Sequence, residues 1–385
     1  MNRAFYPVFL FLLLLFSESF PARRRAPGND VSEPVIIRHA DYFEQSLENG
    51  RVVRLLAGNV SIYHDGTDIK SDTARYYKER GIINLSGNVS ILREGRLLLS
   101  DKGFYRRSDR YAKAEGKVKV IDEGRQVRIE GEAAELFRNR GEVVIKPEPV
   151  LFKADSSGKD TLKIYSEEMS YFRKNGAAKA IRNVRIYKGE IESQCDTAWF
   201  RPDSGFILLL EDPVVNRGEN SLKGDTIKMF LDDQKLNKMY VLGSAEGVFP
   251  ETDTVVEAGS KDSVRTKYSE MYADSIFIYF SDSRLSRVET YSNSIGYHYF
   301  DDRPEEKNRI NGYRMDMYFD SSGTVKKMHV EGNAENLYYY TDEGPGKTGI
   351  NKCSGEVINI YFLDGRINKV NVKGGTRGAY YPLNS

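Results

Sequence analysis

The residues that could do chemistry in this sequence are acidic side chains that recur along most of its 385 residues, each standing about five positions before an aromatic residue. The acidic members are Asp72, Asp101, Glu132, Glu167, Asp196, Asp225, Asp274 and Glu356, with a looser copy at Asp316. Paired carboxylates can cleave glycosidic bonds, so a polysaccharide hydrolase or lyase is one interpretation. An active site needs one special cluster, whereas every unit here has one copy. The pattern therefore favours a structural role at strand starts, in a protein that is not an enzyme.

The other reactive residues are few and scattered. They are His39, His64, His298, His329, Cys195 and Cys353. No metal-ligand spacing and no nucleophile–base pair is present among them. The sequence therefore predicts no catalytic residue, no metal and no cofactor, and leaves a single disulfide between the two cysteines open.

The composition limits the function classes further. The chain has 57 basic and 56 acidic side chains, a formal net charge of +1, whereas nucleic-acid-binding domains are usually clearly basic. Aromatic residues make up 12% of the chain, too many for a solvated, disordered polymer. A charged fraction of 29% indicates a thin core with much surface. We therefore expect a folded protein that does not bind nucleic acid.

The N-terminus has the pattern of a secretory signal. Arg3 precedes an apolar run over residues 5–16, which is shorter than the ~20 residues that span a membrane. Small residues follow it, and we predict a signal peptide over residues 1–22 with cleavage near Ala22. Three arginines at 23–25 keep an uncleaved anchor as the alternative. The mature protein is expected outside the cytoplasm.

An internal repeat organises the rest of the chain. Three segments align at intervals of 29 residues: Gly58–Ile62, Gly87–Ile91 and Gly116–Val120. The same offset relates Ser71-Asp72 to Ser100-Asp101, so two independent landmarks hold one period. Longer intervals later in the chain indicate insertions between units. A unit of this size cannot bury its apolar face alone, but stacked units can share one core.

Each unit has the pattern of two strands joined by a turn. Val60 and Ile62 alternate with polar residues, as in a half-buried strand. Turn pairs then follow at one register: Asp65-Gly66, Glu94-Gly95 and Glu123-Gly124. No segment after position 34 has helical periodicity over ten or more residues. The fold class is therefore all-β, and we expect an elongated two-sheet β-jelly-roll or repeat stack about 70 Å long, from ~4.8 Å per strand.

Polar interruptions divide this stack. The first regular block ends near Lys146-Pro147-Glu148-Pro149 and a polar stretch over 155–160. We predict two regions, 34–150 and a more divergent 160–385, with long loops over 250–267 and 301–308.

The repeat phrases resemble those of the OstA/LptA family of bacterial lipopolysaccharide-transport proteins. The resemblance rests on Gly-Asn-Val-Ser-Ile at 58–62 and 87–91 and on Ser-Asp-x-x-x-Tyr at 71–76 and 100–105. It is best over about 35–140, and Cys353 to Phe362 fits the same pattern. It implies a β-jelly-roll whose two sheets splay into a groove that shelters acyl chains, in a periplasmic, possibly outer-membrane-associated protein that supports outer-membrane lipopolysaccharide assembly.

Strand alternation selects the residues that would line such a groove. The candidates are Val60, Ile62, Val89, Ile91, Val118, Val120, Ala74, Tyr76, Tyr105 and Leu136. Burying acyl chains against these side chains would be favourable by about 0.8 kcal/mol per methylene. The alternative is that they fill a closed sandwich core, because a groove and a core both require inward apolar side chains.

The resemblance also implies partners. They are lipopolysaccharide, bound through its acyl chains, and like-folded Lpt components or a second copy, joined end to end by strand pairing. The candidate edges are Val35–Ile37 and Ile367–Val372, unless Arg38 and Lys369 block them. A different function class also fits the sequence: a surface-exposed glycan-binding or adhesion protein, whose sugar platforms the 25 tyrosines could supply.

Overall fold

The structure is a computed structural model, which describes residues 34–154, 157, 161–232, 235–255, 263–299, 307–341, 348–363 and 366–383. The described residues from Val35 onward form one unit. The predicted signal peptide over 1–22 lies outside the described residues. Among the residues described, no helix has the length and apolar character needed to cross a bilayer.

The described chain is all-β, as the alternation of apolar residues predicted. The strands of the first part are β1 Ile36–His39, β2 Tyr42–Glu48, β3 Arg51–His64, β4 Thr67–Tyr77, β5 Ile82–Arg93, β6 Arg96–Arg106, β7 Tyr111–Asp122, β8 Val127–Phe137, β9 Glu142–Lys146, β10 Val150–Ala154, β11 Thr161–Tyr165, β12 Glu168–Phe172 and β13 Ala177–Lys188. Those of the second part are β14 Ile191–Arg201, β15 Phe206–Leu210, β16 Val214–Arg217, β17 Asn220–Lys223, β18 Thr226–Asp232, β19 Lys235–Val255, β20 Ser263–Ser281, β21 Arg284–Tyr299, β22 Lys307–Phe319, β23 Val325–Thr341, β24 Thr348–Leu363, β25 Arg366–Lys373 and β26 Arg377–Leu383.

The strands form an antiparallel meander that is folded along its length into two layers. Long strands such as β3 pair with a neighbour on both sides of a central irregularity, at Ala57↔Thr73 and again at Val60↔Ser71. Elsewhere two short strands replace one long strand, as where β10 and β9 pair with the two halves of β8. We call the layer that contains residues 60–64 and 67–71 half-sheet I, and the layer that contains 51–57 and 73–77 half-sheet II. Each long strand therefore contributes to both layers.

The bends between the layers lie at the Gly-Asn phrases of the repeat. Gly58 and Asn59 both have positive φ, 76° and 47°, and Gly87 and Asn88 repeat this with 76° and 45°. Two consecutive left-handed residues lengthen one strand relative to its partner and make a β-bulge. Because β3 runs from Arg51 to His64 and β4 starts at Thr67, the phrases and most of the acidic residues lie in the middle of strands. The expectation that the acidic residues mark strand starts is therefore wrong for most copies; Glu167 and Asp225 directly precede β12 and β18 and fit it.

Two of the three predicted turns have the expected geometry. Asp65-Gly66 and Glu94-Gly95 have positive φ at both positions, as the tight two-residue turns of antiparallel strands require. The third differs, because Glu123–Arg125 form a short 3₁₀ turn. Asp122 accepts a hydrogen bond from the Arg125 backbone N–H at 3.2 Å, and Gln126, rather than Gly124, adopts the left-handed conformation.

The apolar side chains that face inward from both half-sheets form the core. Its main cluster extends without interruption from Leu56 to Met317, across the predicted boundary near 150–160. A second, smaller cluster consists of Ile310, Met315, Val330, Ala334, Ile358 and Ile360. The core of the repeat is thus continuous through most of the chain and divides near β22.

Candidate functional site

The structure places all ten predicted groove residues on the inner faces of the half-sheets. Nine of them are buried: Val60, Ile62, Ala74, Tyr76, Val89, Ile91, Tyr105, Val118 and Val120. Leu136 is partly buried and packs against the same cluster. The period-2 alternation therefore identified the inner face correctly. Their role as a groove stays a prediction, because they are also the packed interior of the sandwich.

The recurring acidic residues have a structural use at the bulges. Asn88 Nδ2 donates hydrogen bonds to Asp72 at 3.0 and 3.2 Å, and Asn293 Nδ2 donates to Asp274 at 3.2 Å. At other bulges the carboxylate lies directly against a glycine: Asp101 against Gly116, Asp225 against Gly243 and Glu356 against Gly374. An added Cβ would meet these carboxylate oxygens at 2.2 to 2.6 Å. At these five bulges the acidic residue therefore holds the bend through a side-chain contact.

Asp316, the looser copy of the acidic landmark, does not lie at a bulge as the other copies do. Asp316 is buried and its carboxylate accepts hydrogen bonds from Arg287 and Arg314, each at 3.2 Å. Tyr313 instead faces the bulge glycine Gly332, where an added Cβ would lie 2.5 Å from the Tyr313 Cβ. The assignment of Asp316 as the displaced landmark is therefore wrong. The aromatic residue occupies the position that a carboxylate has in the other units.

Opposite the bulges, the two half-sheets meet along a seam made by side chains. The Asp65 carboxylate, in the β3–β4 turn of half-sheet I, contacts Arg138 beyond β8 in half-sheet II, and lies 3.2 Å from Arg110 Nη2. Three further contacts cross the seam: His64 Nδ1 with the Tyr105 hydroxyl at 2.8 Å, the Tyr171 hydroxyl to Asp122 at 2.6 Å, and Arg125 Nε to Asp203 at 2.9 Å. The seam is therefore polar, in contrast to the strands that join the layers at the bulges.

A cavity of about 80 Å³ lies beneath this seam. Four of the predicted groove residues line it, namely Ile91, Tyr105, Val120 and Leu136. Its remaining apolar lining includes Ile69, Leu98, Ala112 and Val143, and five arginines stand at its margin: Arg93, Arg96, Arg110, Arg138 and Arg173. The arginines were not among the predicted site residues, because they come from separate turns and strand ends that share no sequence motif.

The seam contacts change the acidity of the groups that make them. The hydrogen bond from Arg138 holds the pKa of the Asp65 carboxyl below its usual range. Burial, together with the hydrogen bond to Asp122, raises the pKa of the Tyr171 hydroxyl. Both groups therefore keep the charge state that the seam requires at neutral pH: an ionised carboxylate and a neutral phenol.

The two cysteines, which are the candidates for redox chemistry, are not among the residues that line the cavity. Cys195 and Cys353 are both free thiols. Burial raises the pKa of the Cys195 thiol to about 12, and its Sγ donates to the Thr197 carbonyl oxygen at 3.3 Å. Within the described ranges, no group of three or more His, Cys, Asp and Glu side chains is arranged to hold a metal ion.

The outer face of half-sheet II has a row of aromatic side chains. Phe206, Phe230, Tyr240, Phe277 and Tyr291 stand on successive neighbouring strands from β15 to β21. Their ring centroids follow one another at 5.3, 5.2, 4.7 and 5.2 Å. We call these five residues the outer aromatic row. They are partly exposed on the side away from the core, as the glycan-binding alternative would require.

The predicted edges lie at the two ends of the strand order. Among the described strands, β1 and β2 pair only with β3, while β25 and β26 pair only with β24. Both ends carry exposed apolar side chains: Ile36, Tyr42, Phe43 and Leu47 at one end, and Leu363, Val370, Tyr380 and Tyr381 at the other. Each end therefore has free backbone groups together with apolar surface.

These features define a two-layer β-repeat protein with a shared apolar interior and a polar seam. Residues 32–131 match the family model described as OstA-like protein, so the resemblance stated from the repeat phrases is confirmed over this segment. Comparison with curated proteins gives no match. Among solved structures, the chain is similar to LptH from Pseudomonas aeruginosa, described as the LptA-homologous periplasmic component of the lipopolysaccharide transport device. That match has 14% identity and a TM-score of 0.26, and covers 28% of this chain and 76% of LptH.

Proposed function

We propose that this protein is a non-enzymatic periplasmic carrier of lipopolysaccharide, which shelters acyl chains between its two half-sheets and supports outer-membrane lipopolysaccharide assembly. The proposal rests chiefly on the continuous apolar interior beneath a seam that, among the described residues named above, side-chain contacts close. Such a seam can open without breaking a strand ladder. The OstA-like segment over residues 32–131 contains all but one of the predicted groove residues, and that residue, Leu136, follows it closely.

Acyl chains would enter by separating the half-sheets at the seam. The cavity of about 80 Å³ is smaller than the ~300–1,000 Å³ of pockets that enclose whole small molecules. Loading therefore requires the contacts of Asp65 with Arg110 and Arg138 to give way. The Asp65 and Arg138 side chains are each 17% exposed. Partly exposed ion pairs contribute on the order of 1 kcal/mol each, so acyl burial at about 0.8 kcal/mol per methylene can offset their loss within a few methylenes.

Photo-crosslinking in cells tests the proposal. A photoreactive amino acid at Ile91 or Val120, which line the cavity, is expected to capture lipopolysaccharide. The same amino acid at Ser90 or Lys119, the outward-facing neighbours, serves as the matched control and should capture little. Equal capture at inward and outward positions, or none at either, would contradict the carrier function.

Assembly with a like-folded Lpt component or a second copy would use the two ends of the strand order. Phe43 and Leu47 are 53% and 73% exposed. Replacing both with lysine should abolish association through β2 without affecting the core. Sedimentation velocity over a range of concentrations would measure this. If the lysine variant associates as the parent protein does, the β2 end is not the contact.

Glycan binding is the second candidate function, because the outer aromatic row provides partly exposed rings in line. Aromatic faces stack against sugars, and the row lies outside the OstA-like segment. Tyr240→Ala should then weaken binding to isolated polysaccharide by about tenfold while leaving lipid capture at Val120 intact. Unchanged polysaccharide binding in the variant would remove this candidate.

A further inference from the structure

The margin of the cavity carries more positive charge than its acidic neighbours offset. Of the five arginines, Arg93 and Arg96 stand at the β5–β6 turn of half-sheet I, whereas Arg110, Arg138 and Arg173 stand in or beside turns of half-sheet II. All five residues line one cavity. This arrangement places cations on both sides of the seam.

Three carboxylates contact these arginines. Asp65 contacts both Arg138 and Arg110, and Asp122 lies 2.9 Å from Arg96 Nε. Glu94, whose side chain is 61% exposed, lies 3.3 Å from Arg93 Nε and 3.6 Å from Arg96 Nη1. A fourth carboxylate at the cavity, Glu142, is bound by Arg140 and by the Ser170 hydroxyl. The charges of the five arginines are therefore only partly balanced.

Arg173 is the arginine that these carboxylates leave unbalanced. Among the described residues, no carboxylate lies within 4.0 Å of its guanidinium, and its Nη2 donates to the Arg138 carbonyl oxygen at 3.3 Å. It is half-buried, and burial together with the neighbouring arginines lowers the pKa of the guanidinium, a shift that the charge of Glu94 only partly opposes. A partly buried cation without a carboxylate is costly unless an anion approaches it.

We propose that Arg173, with Arg93 and Arg138, forms a binding site for the phosphate group of an amphiphile whose apolar part occupies the cavity. The proposal rests on the proposed function and names the second chemical group of its ligand. Guanidinium groups recognise phosphate by charge-assisted, paired hydrogen bonds. The three groups come from both half-sheets, so a phosphate here would stand at the point where the seam opens, with the apolar cavity directly below it.

Titration calorimetry with matched single-chain amphiphiles tests the site on the full chain. The probes are dodecyl phosphate, dodecyl maltoside and inorganic phosphate, with both amphiphiles kept below their micelle concentrations. Dodecyl phosphate should bind at least tenfold more tightly than dodecyl maltoside. Inorganic phosphate alone should bind far more weakly than dodecyl phosphate. If inorganic phosphate matches dodecyl phosphate, the cavity takes no part in binding and the amphiphile site is refuted.

Arginine variants locate the effect. Arg173→Gln should reduce the preference for dodecyl phosphate to twofold or less while leaving dodecyl maltoside binding unchanged, and Arg173→Lys should restore part of it. Arg128→Gln is the matched control, since Arg128 lies away from the cavity, 4.6 Å above the Phe152 ring. An unchanged preference in both Arg173 variants, with the parent melting temperature, overturns the site. Capture of lipopolysaccharide at Val120 would still stand in that case, so the two proposals fail separately.

Discussion

Strands β3–β8 and strands β19–β24 have the same bulged, two-layer arrangement but differ in strand length. In the first region the strands have 11 to 14 residues, two-residue turns join several of them, and the 29-residue period holds. In the second region β19 has 21 residues and β20 has 19. Both regions nevertheless bend at paired left-handed residues, such as Gly58-Asn59 and Gly332-Asn333. The bulge, rather than the interval, is therefore the element that both regions of this repeat share.

The two regions also differ in where their ordered side chains lie. The first region packs its interior into the large cluster and places charged groups at the seam. The second region shares that cluster through β19–β21, ends in the small cluster around Val330 and Ile358, and holds polar and aromatic groups against its outer face. There the Tyr279 and Tyr291 hydroxyls donate to the buried Glu289 carboxylate at 3.0 and 3.2 Å. We therefore expect the first region to dominate stability.

The largest expected effect separates the two cores. Ile129 and Ile358 are both fully buried, in the large and in the small cluster respectively. Ile129→Ala should cost about 4 kcal/mol and Ile358→Ala about 2 kcal/mol, because the smaller cluster can collapse around the lost methyl groups. Hydrogen exchange should show lost protection throughout the large cluster for the first variant, and only in β22–β26 for the second.

The outward-facing Ile121→Ala is the control for both variants and should cost less than about 1 kcal/mol. If Ile358→Ala lowers amide protection in β3–β8 as much as in β22–β26, the two clusters fold as one unit and the comparison between regions is wrong.

A second, smaller effect tests the bulges. Gly87 has a φ of 76°, and an added Cβ would lie 2.2 Å from the Asp72 carboxylate. Gly95→Ala is the matched control, since Gly95 has a φ of 73° and no atom within 4 Å of an added Cβ. Backbone strain alone should cost about 1 kcal/mol in the control, and the clash should bring Gly87→Ala to about 2–3 kcal/mol. Urea denaturation measures both.

The same pair of substitutions exists in the second region. An added Cβ at Gly332 would lie 2.5 Å from the Tyr313 Cβ, whereas Gly323 has open space around it. If the bulge is the shared element, Gly332→Ala should exceed Gly323→Ala by a similar margin. Equal costs within each pair would refute the role of the bulges in both regions.

The smallest expected effect concerns the seam of the first region, where Asp65 contacts Arg110 and Arg138. The depressed pKa of Asp65 means that its contribution is present above the usual pKa of about 4 and is lost as pH falls through the lower pKa of the folded state. Asp65→Asn should therefore destabilise by about 1 kcal/mol at pH 7, and this difference should shrink as the pH falls below the usual carboxyl pKa. Urea denaturation at a series of pH values measures it.

Asp68→Asn provides the comparison, because Asp68 pairs with Arg38 on the surface with 39% of its side chain exposed. It should cost at most a few tenths of a kcal/mol at pH 7. A difference between Asp65→Asn and the parent protein that persists unchanged at pH 2 would mean that the Arg138 contact does not stabilise the seam.

Local patterns predicted much of this fold, because alternation and turn chemistry act over a few residues. The inner-face positions of Val60, Ile91 and Val120 follow from a two-residue period, which every strand of the unit repeats. The bulges were missed, although the Gly-Asn phrase that produces them was noted. Whether two left-handed residues lie in a loop or form a bend within a strand depends on the neighbouring strand that pairs on both sides of them, and that strand lies outside the phrase.

The cavity margin could not be predicted from the sequence. Arg93, Arg138 and Arg173 come from different turns and strand ends, and their intervals of 45 and 35 residues match no multiple of the repeat period. They meet only because the chain folds into two layers whose free ends approach each other. The position of Tyr313 was missed for the same reason, since its partner Gly332 lies on another strand.

The most direct test of the carrier claim is crosslinking in vitro with intact and deacylated lipopolysaccharide. Purified protein with a photoreactive residue at Val120 is illuminated with each ligand, and the same residue at Tyr240 reports the outer aromatic row. The account predicts capture of the intact molecule at Val120 and a loss of at least tenfold when the acyl chains are removed. Equal capture of both forms at Val120, or capture of both at Tyr240 alone, would contradict it.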